Sequence, residues 1–305
     1  MLEGAFAPDA IAKAAKQLGF PAAAVVDRNG LYAAMTFSEA CFAAGVQPII
    51  GSLLAVARPT DIGGGESVDW LALLAQNEAG YANLCRLVSK AHVDGGTSAA
   101  GPHVNFTALR EASDGLICLT AGADGALVRL EAAGQSLAAE AYCDHLQAIF
   151  GDRLYIEVSR RGDAAEDAAE DALVRIAYAR EIPLVATNAC CFEAPDFHAA
   201  HDALLCIAQS TYLEAGDRRH SSPHAWLKPA EDMEDLFSDL PEAIVNTIAI
   251  AQRCGVRAPR RDPILPSIAG DREGEAAQLR DDARAGLIAR LRMRFDGRSE
   301  EHTSE

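Results

Sequence analysis

The chain has 305 residues, half of them apolar and 23% charged, with a formal net charge of −17. That length and balance suit a globular protein of one large or two ordinary domains with a real core, and so large an excess of acid excludes a surface that grips phosphate throughout. No apolar run reaches the roughly 18 residues of a membrane helix, and no basic-then-apolar leader precedes Phe6, which predicts a protein that is not secreted.

In chain order, Pro8–Leu18 reads as a helix opened by Pro8-Asp9 and stopped at Gly19,. Ala22–Asp27 is an apolar run ending in the turn Asp27-Arg28-Asn29-Gly30. Thr36–Ala44 is a second helix, stopped at Gly45, and Pro48–Ala57 and Val68–Ala75 are further apolar runs. Helix Glu78–Ala91, run Gly115–Ala121, helix Ser136–Phe150, run Arg153–Ser159, helix Ala164–Arg180 and run Ile182–Thr187 follow. Continuous apolar runs of this length suit strands buried on both faces, hence a parallel or mostly parallel sheet. Repeated strand–helix units predict an α/β fold, a barrel or a doubly wound sheet, and periodicity alone does not choose between them.

From Pro259 to Gly270 three prolines and the pair Arg260-Arg261 interrupt any period, as in a linker. Glu273–Phe295 then reads as one amphipathic helix, with Ala276, Leu279, Ala283, Leu287 and Leu291 on a stripe,. Charge changes sign here: residues 253–298 carry 11 arginines against 7 acids, whereas residues 1–252 carry 16 basic residues against 34 acids. The last residues, 298–305, hold no apolar side chain and read as an artefactual or disordered tail. The eight cysteines form no C-x-x-C pair and sit mostly in apolar runs, as at Cys118 and Cys206, which predicts reduced, buried thiols in a cytoplasmic protein.

Three blocks, in order, resemble one known family. The first is Leu2-Glu3-Gly4-Ala5, Leu18-Gly19-Phe20-Pro21, Val26-Asp27-Arg28-Asn29-Gly30-Leu31 and Gly45–Gly51. The second is Leu73–Asn77, Gly80-Tyr81-Ala82-Asn83-Leu84 and Ser89-Lys90-Ala91-His92. The third is Pro183–Asn188 with Ala200-His201-Asp202, and then Leu227–Cys254. Together they resemble the PHP domain at the start of the alpha subunit of bacterial replicative DNA polymerase III. The replicative pattern fits better than the error-prone paralogue through Leu2–Ala5 and Asn29–Leu31.

The resemblance implies a distorted (β/α)-type barrel over residues 1–258, short of a first strand that carries a His-x-His metal motif. It implies a linker and helix over 259–297 leading toward a polymerase palm outside this chain. It further implies a parent enzyme for template-directed DNA synthesis, with Mg in that palm and no cofactor in this segment. The proofreading exonuclease subunit is the implied partner, with DNA and other replisome subunits meeting the rest of the protein.

Metal-binding members of the family gather His, Asp, Glu and Cys at the C-terminal strand ends, where barrels place their chemistry. By resemblance those positions fall here on Arg28, Leu53, Gly122, Arg161 and Cys191. A guanidinium has no lone pair to give a metal and stays protonated. Asp27 and His201 are the ligands left, too few for a metal cluster. The reading is a vestigial cleft of Asp27, Arg28, Arg161, Cys191 and His201, with arginine charge in place of metal charge and no catalytic or metal-binding residue. The plain alternatives are an Asp27 that caps backbone or pairs with Arg28, and a His201 hydrogen-bonded under its helix.

A zinc site from Cys190, Cys191, His198 and His201 is the rival. His198 and His201 share a helix face, but adjacent cysteines diverge on an extended chain. Gly63-Gly64-Gly65 reads as a flexible loop rather than a phosphate cradle, and Ser210, Asp217 and His220 lack a nucleophile elbow. The functional expectation is a scaffold and docking domain, against the alternative of a metal-dependent phosphoesterase acting as a 3′–5′ exonuclease or pyrophosphatase.

Overall fold

The computed structural model describes residues 4–62, 67–94, 101–260 and 267–295. The chain divides into two compact units, Met1–Pro259 and Arg260–Glu305. The first begins with α1 (Pro8–Gln17), β1 (Ala22–Arg28), α2 (Ala34–Ala44), β2 (Gln47–Ala57) and β3 (Val68–Ala75). Helices α3 (Glu78–Asp94) and α4 (Phe106–Glu111) precede β4 (Leu116–Leu119), and α5 (Ala126–Ala132) and α6 (Ser136–Phe150) precede β5 (Leu154–Ser159). Then come α7 (Ala164–Arg180), β6 (Leu184–Thr187), α8 (His198–Gln209), α9 (Ala230–Leu236) and α10 (Pro241–Arg253). The second unit contains α11 (Arg272–Phe295).

Local chemistry sets these boundaries. Gly45 ends α2 in the left-handed region at φ 76°, where a side chain would be strained,. Asp163 caps α7 by accepting the N–H groups of Ala165 and Glu166,. Gly80 opens α3 against the turn before β4. A Cβ there would stand 1.9 Å from the carbonyl oxygen of Gly115, so only glycine lets the two backbones meet,.

The six strands form one sheet in sequence order, β1-β2-β3-β4-β5-β6. Pairs β1·β2, β4·β5 and β5·β6 are parallel, but β3 runs antiparallel to both β2 and β4. This corrects the expectation of a parallel or mostly parallel sheet. The connection from β2 to β3 spans only residues 58–67 and holds no described helix. A parallel return needs a crossover of a dozen residues or more, so the chain can only double back. Gly63-Gly64-Gly65 lie in that connection and outside the described residues.

The sheet curls, with helices around it, into a distorted (β/α)-type barrel. No pairing joins β1 to β6 among the described residues. Its outer face packs on α3–α7 through Leu54, Leu71, Leu73, Leu116, Leu154, Ile156 and Leu184. Helices α1 and α2 cover β1 through Ala12, Ala15, Phe37 and Cys41 against Ala23 and Val25. The inner face gathers Ile49, Leu74, Ile117, Leu119, Tyr155 and Val185, and α10 adds Ile250 and Cys254 to them. Helix α10 is tethered at the N-terminal strand ends. Gln47 Nε2 donates to the carbonyls of Ala251 (2.5 Å) and Cys254 (2.8 Å), and Asn246 Nδ2 donates to that of Leu184 (2.8 Å). One end of the barrel is therefore plugged with apolar side chains, and the polar strand termini lie at the other.

A buried ion triad pins β3 to the helices outside it. Asp69 has no exposed surface and accepts from Arg58 Nε at 2.8 Å and Arg129 Nη1 at 2.6 Å. Removing the anion strands the guanidinium of Arg58, whose side chain is 7% exposed. Asp69→Asn is expected to lower unfolding free energy by about 3 kcal/mol or more, read from the midpoint of urea denaturation at unchanged m-value.

Candidate functional site

The alternation of β1 decides the fate of its last two residues. Asp27 follows Ala23 and Val25 onto the helix-covered face, where its Oδ2 accepts the Ala33 N–H (2.9 Å) just before α2. Arg28 falls on the opposite face. Its Nη2 meets Asp124 Oδ2 at 2.6 Å, and its guanidinium lies 4.7 Å from the Trp70 ring centre. Leu53, the register partner of Arg28, packs against the inner apolar cluster.

The ends of β4, β5 and β6 carry the densest polar network. Glu157, in the middle of the apolar strand β5, is 9% exposed. Its Oε2 accepts the Ala121 N–H at 2.9 Å and its Oε1 the Thr187 hydroxyl at 2.6 Å, so one carboxyl ties three strands. Thr120 Oγ1 accepts the Glu157 N–H at 2.9 Å. Burial pushes the Glu157 carboxyl up, against the pull of Thr187, the Arg161 charge and the Ala121 N–H,.

Arg161 sits beside it. Its Nη2 donates to Glu166 Oε1 at 2.5 Å, and Glu166, 3% exposed, also accepts the Ala123 N–H at 3.1 Å. Burial opposes the Arg161 charge, but Glu166, Glu157 and Asp124 outweigh it and raise its pKa. Gly122 completes the pocket: a Cβ there would lie 2.8 Å from Glu166 Oε1. A side chain at position 122 would sit at a strained φ of 48° and would have to displace this carboxylate.

Beyond β6, Cys191 is held by backbone. Its N–H donates to Ala225 O and its carbonyl accepts the Ala5 N–H, both at 2.7 Å. Burial pushes the neighbouring Cys190 thiol up to about 11. His201, 3% exposed, shares a 2.6 Å hydrogen bond between Nδ1 and Ser221 Oγ and packs 5.2 Å from the Phe192 ring centre. His198 Nε2 donates to the carbonyl of the same serine at 3.0 Å. The two histidines do share a helix face, and that face is turned to Ser221.

Residues 221–228 cross the ends of β5 and β6 as a strap. Ser222 Oγ donates to Arg161 O (2.8 Å), Asn188 Nδ2 to Trp226 O (2.7 Å) and Leu227 N–H to Phe192 O (3.0 Å). Lys228, 8% exposed, reaches back to Asn188 Oδ1 at 3.2 Å, and burial lowers its pKa.

The structure thus brings Arg161 together with Glu157, Glu166 and Gly122, and gives Arg28 to Asp124. Cys191 and His201 are engaged with the strap and with Ser221, and Asp27 with the start of α2. Glu157, Glu166, Asp124 and Lys228 were not singled out from the sequence. Glu157 carried a signal, a lone carboxylate in Leu154-Tyr155-Ile156-Glu157-Val158. Glu166 did not, because it stands in an acid-rich helix start. Ser210, Asp217 and His220 share no hydrogen bond with one another.

The donor set does not fit a metal cluster. Among the described residues no three His, Cys, Asp or Glu side chains are placed to hold an ion. The carboxylates of Glu157 and Glu166 are already met by a guanidinium, a hydroxyl and backbone N–H groups. No chemistry through a metal follows from this arrangement.

A curled sheet in this strand order, with helices around it, is a distorted (β/α)-type barrel. Residues 1–161 match the family model described as PHP domain, and the chain belongs to that family. It is 45% identical over 297 residues to the DNA polymerase III subunit alpha of Caulobacter vibrioides, covering 95% of this chain and 26% of that one. The same subunit of Escherichia coli K12 is 35% identical over 303 residues, 98% of this chain and 26% of that one. That of Rickettsia bellii is 34% identical over 294 residues, 96% of this chain and 25% of that one. The chain thus spans about a quarter of the length of the curated relatives it matches. No described helix is long and apolar enough to cross a membrane.

Two outcomes test this network. Arg161→Met leaves Glu166 buried without its cation and is expected to cost about 3 kcal/mol. The double variant Arg161→Met/Glu166→Gln should recover most of it, as read by a double-mutant cycle in urea. For Glu157 the folded pKa is raised, so its contribution is full below the ordinary carboxylate range and is lost as pH climbs through the folded value. Glu157→Gln removes the charge, keeps the Ala121 N–H bond through its amide oxygen and turns the Thr187 bond round, its NH2 donating to the hydroxyl oxygen,. It is expected to lose less stability than the parent between mildly acidic and neutral pH, measured as melting temperature against pH.

Proposed function

We propose that this chain is the PHP part of a DNA polymerase III alpha subunit and that it works as a scaffold and docking domain. Residues 1–258 form the PHP domain and 259–297 a linker and helix leading toward the palm; the tail expected at 298–305 lies outside the described residues. The parent protein carries out template-directed DNA synthesis, with Mg serving the nucleotidyl transfer in its palm. The proofreading exonuclease subunit docks on the PHP domain, and DNA and other replisome subunits meet the remainder of the polypeptide. The work is cytoplasmic.

One observation carries the scaffold reading: beside the strand ends a buried carboxylate, Glu166, and a part-exposed one, Asp124, are each paired with an arginine of the same chain. Arg161 holds Glu166, and Arg28 holds Asp124. Asp27, Arg28, Arg161, Cys191 and His201 are on this reading a vestigial metal cleft, and none is catalytic. The same strand ends are where a metal-dependent phosphoesterase of this class would need free ligands. A 3′–5′ exonuclease or pyrophosphatase would therefore have to displace both guanidiniums first, at the cost of leaving them unpaired.

The test is direct. The chain is dialysed against manganese and zinc, analysed for bound metal, and assayed on a single-stranded oligonucleotide and on pyrophosphate. The expected result is well under one metal per chain and no hydrolysis above background with either substrate. One tightly held metal per chain, with a hydrolytic activity abolished by Asp27→Ala, would replace the scaffold reading with the phosphoesterase.

A further inference from the structure

Within residues 4–259 arginine is used to neutralise. Arg28, Arg58, Arg160, Arg161, Arg180 and Arg218 each hold a carboxylate within 3.3 Å. Helix α11 uses arginine differently. Arg280, Arg284, Arg290 and Arg292 are exposed, and none makes a hydrogen bond or ion pair among the described residues. On a helix of about 100° per residue, Arg272, Arg280, Arg284, Arg290 and Arg294 fall within about one third of the circumference. Glu273 is the acid on that side, while Glu275, Asp281 and Asp282 point elsewhere.

This pattern costs the helix stability. Arg280 and Arg284, and again Arg290 and Arg294, stand four residues apart, where like charges repel by a few tenths of a kcal/mol per pair. The helix dipole rewards Arg292 and Arg294 in the last turn,. It gives nothing to Arg280 and Arg284, which lie more than two turns from that end. Nor do the arginines keep to the back of the helix. They interleave with Ala283, Leu287 and Leu291 on the stripe itself, so the face is cationic and apolar together. From Arg280 to Arg294 it runs about 21 Å at 1.5 Å per residue. Duplex DNA presents one charge per about 1.7 Å of axis, so a face of that length meets several phosphates at once.

We propose that the arginine face of α11 binds the phosphate backbone of DNA without regard to sequence. This rests on the polymerase reading, which makes DNA the polyanion at hand. Acidic side chains dominate residues 1–252, so the remainder of the surface repels the same ligand and confines it to this segment.

The test uses the full 305-residue chain and two fluorescein-labelled probes, a short duplex and a single-stranded oligonucleotide, followed by anisotropy over a salt series. Arg280→Gln/Arg284→Gln/Arg290→Gln is expected to weaken binding of at least one probe about tenfold or more and to lower the slope of log K against log salt by about 2–3. The corresponding triple lysine variant should retain most of the affinity, because charge rather than guanidinium geometry does the binding. Asp281→Asn/Asp282→Asn, on the other side, should bind as tightly as the parent or more so. Circular dichroism verifies that each variant keeps α11. Failure of the parent chain to bind either probe at low salt overturns the proposal, as does undiminished binding by the glutamine variant or a preference for anionic lipid vesicles. Primer extension by the full-length subunit separates the two readings. Extension that is indifferent to the glutamine variant sinks this proposal alone, whereas no extension by the parent subunit sinks the polymerase reading.

Discussion

A carboxylate withdrawn from water needs a cation or a set of donors within reach, and the strand ends of this barrel depend on that requirement. Glu157 and Glu166 are both nearly closed to solvent. Ionised and unpaired, each would cost several kcal/mol. Arg161 supplies the fixed charge, and Thr187, Ala121 and Ala123 supply the remaining donors. The network links β4, β5, β6 and α7, so the polar end of the barrel is held by charge where the other end is held by apolar contact. Gly122 is part of the same solution, since a Cβ there would lie 2.8 Å from Glu166 Oε1 and the carboxylate would have to shift.

The opposite end shows what the fold does without such groups. There Ile250 and Cys254 of α10 enter the inner cluster beside Ile49, Leu74 and Ile117. Burying a side chain of that size is worth roughly 2 kcal/mol, and Gln47 and Asn246 satisfy carbonyls at the margin. An apolar plug tolerates small errors of position, because dispersion is weakly directional. A guanidinium–carboxylate pair does not, which is why so many backbone contacts surround Arg161 and the strap at 221–228. Arg160 repeats the device one residue earlier. It grips Glu170 and Asp239 while lying over the Phe237 ring, which ties β5 to α7 and to the turn before α10.

Most of the first unit was legible in the sequence because its signals are local. All six apolar runs are strands, each starting or ending within two residues of the expected bounds. Helix stops at Gly45 and Gly19 follow from backbone conformation alone. The direction of β3 was missed because a run's composition says nothing of which way it travels; the short link from residue 58 to 67 was the available clue. The site was legible in part. The arginines at positions 28 and 161 stood out in the sequence, yet their partners were not evident. Asp124 and Glu166 lie in a turn and a helix start, where carboxylates are commonplace, and only the folded backbone brings them to the guanidiniums. Asp27 illustrates the converse: adjacency to Arg28 suggests a pair, and strand alternation separates them.

An arginine beside a buried carboxylate behaves differently from a bound ion. A bound ion exchanges with the medium, and its affinity falls as its ligands take up protons. A guanidinium is joined to the chain, stays charged at any pH the cell reaches, and offers five donors in a fixed fork. The charge facing Glu166 is therefore fixed in the chain. Burial of the neighbouring Glu157 favours its neutral form. A catalyst needs an ion that can accept a substrate oxygen and let it go. A fixed ion pair does the reverse, since its charge never leaves its partner, and Arg161 with Glu166 is a pair of that kind.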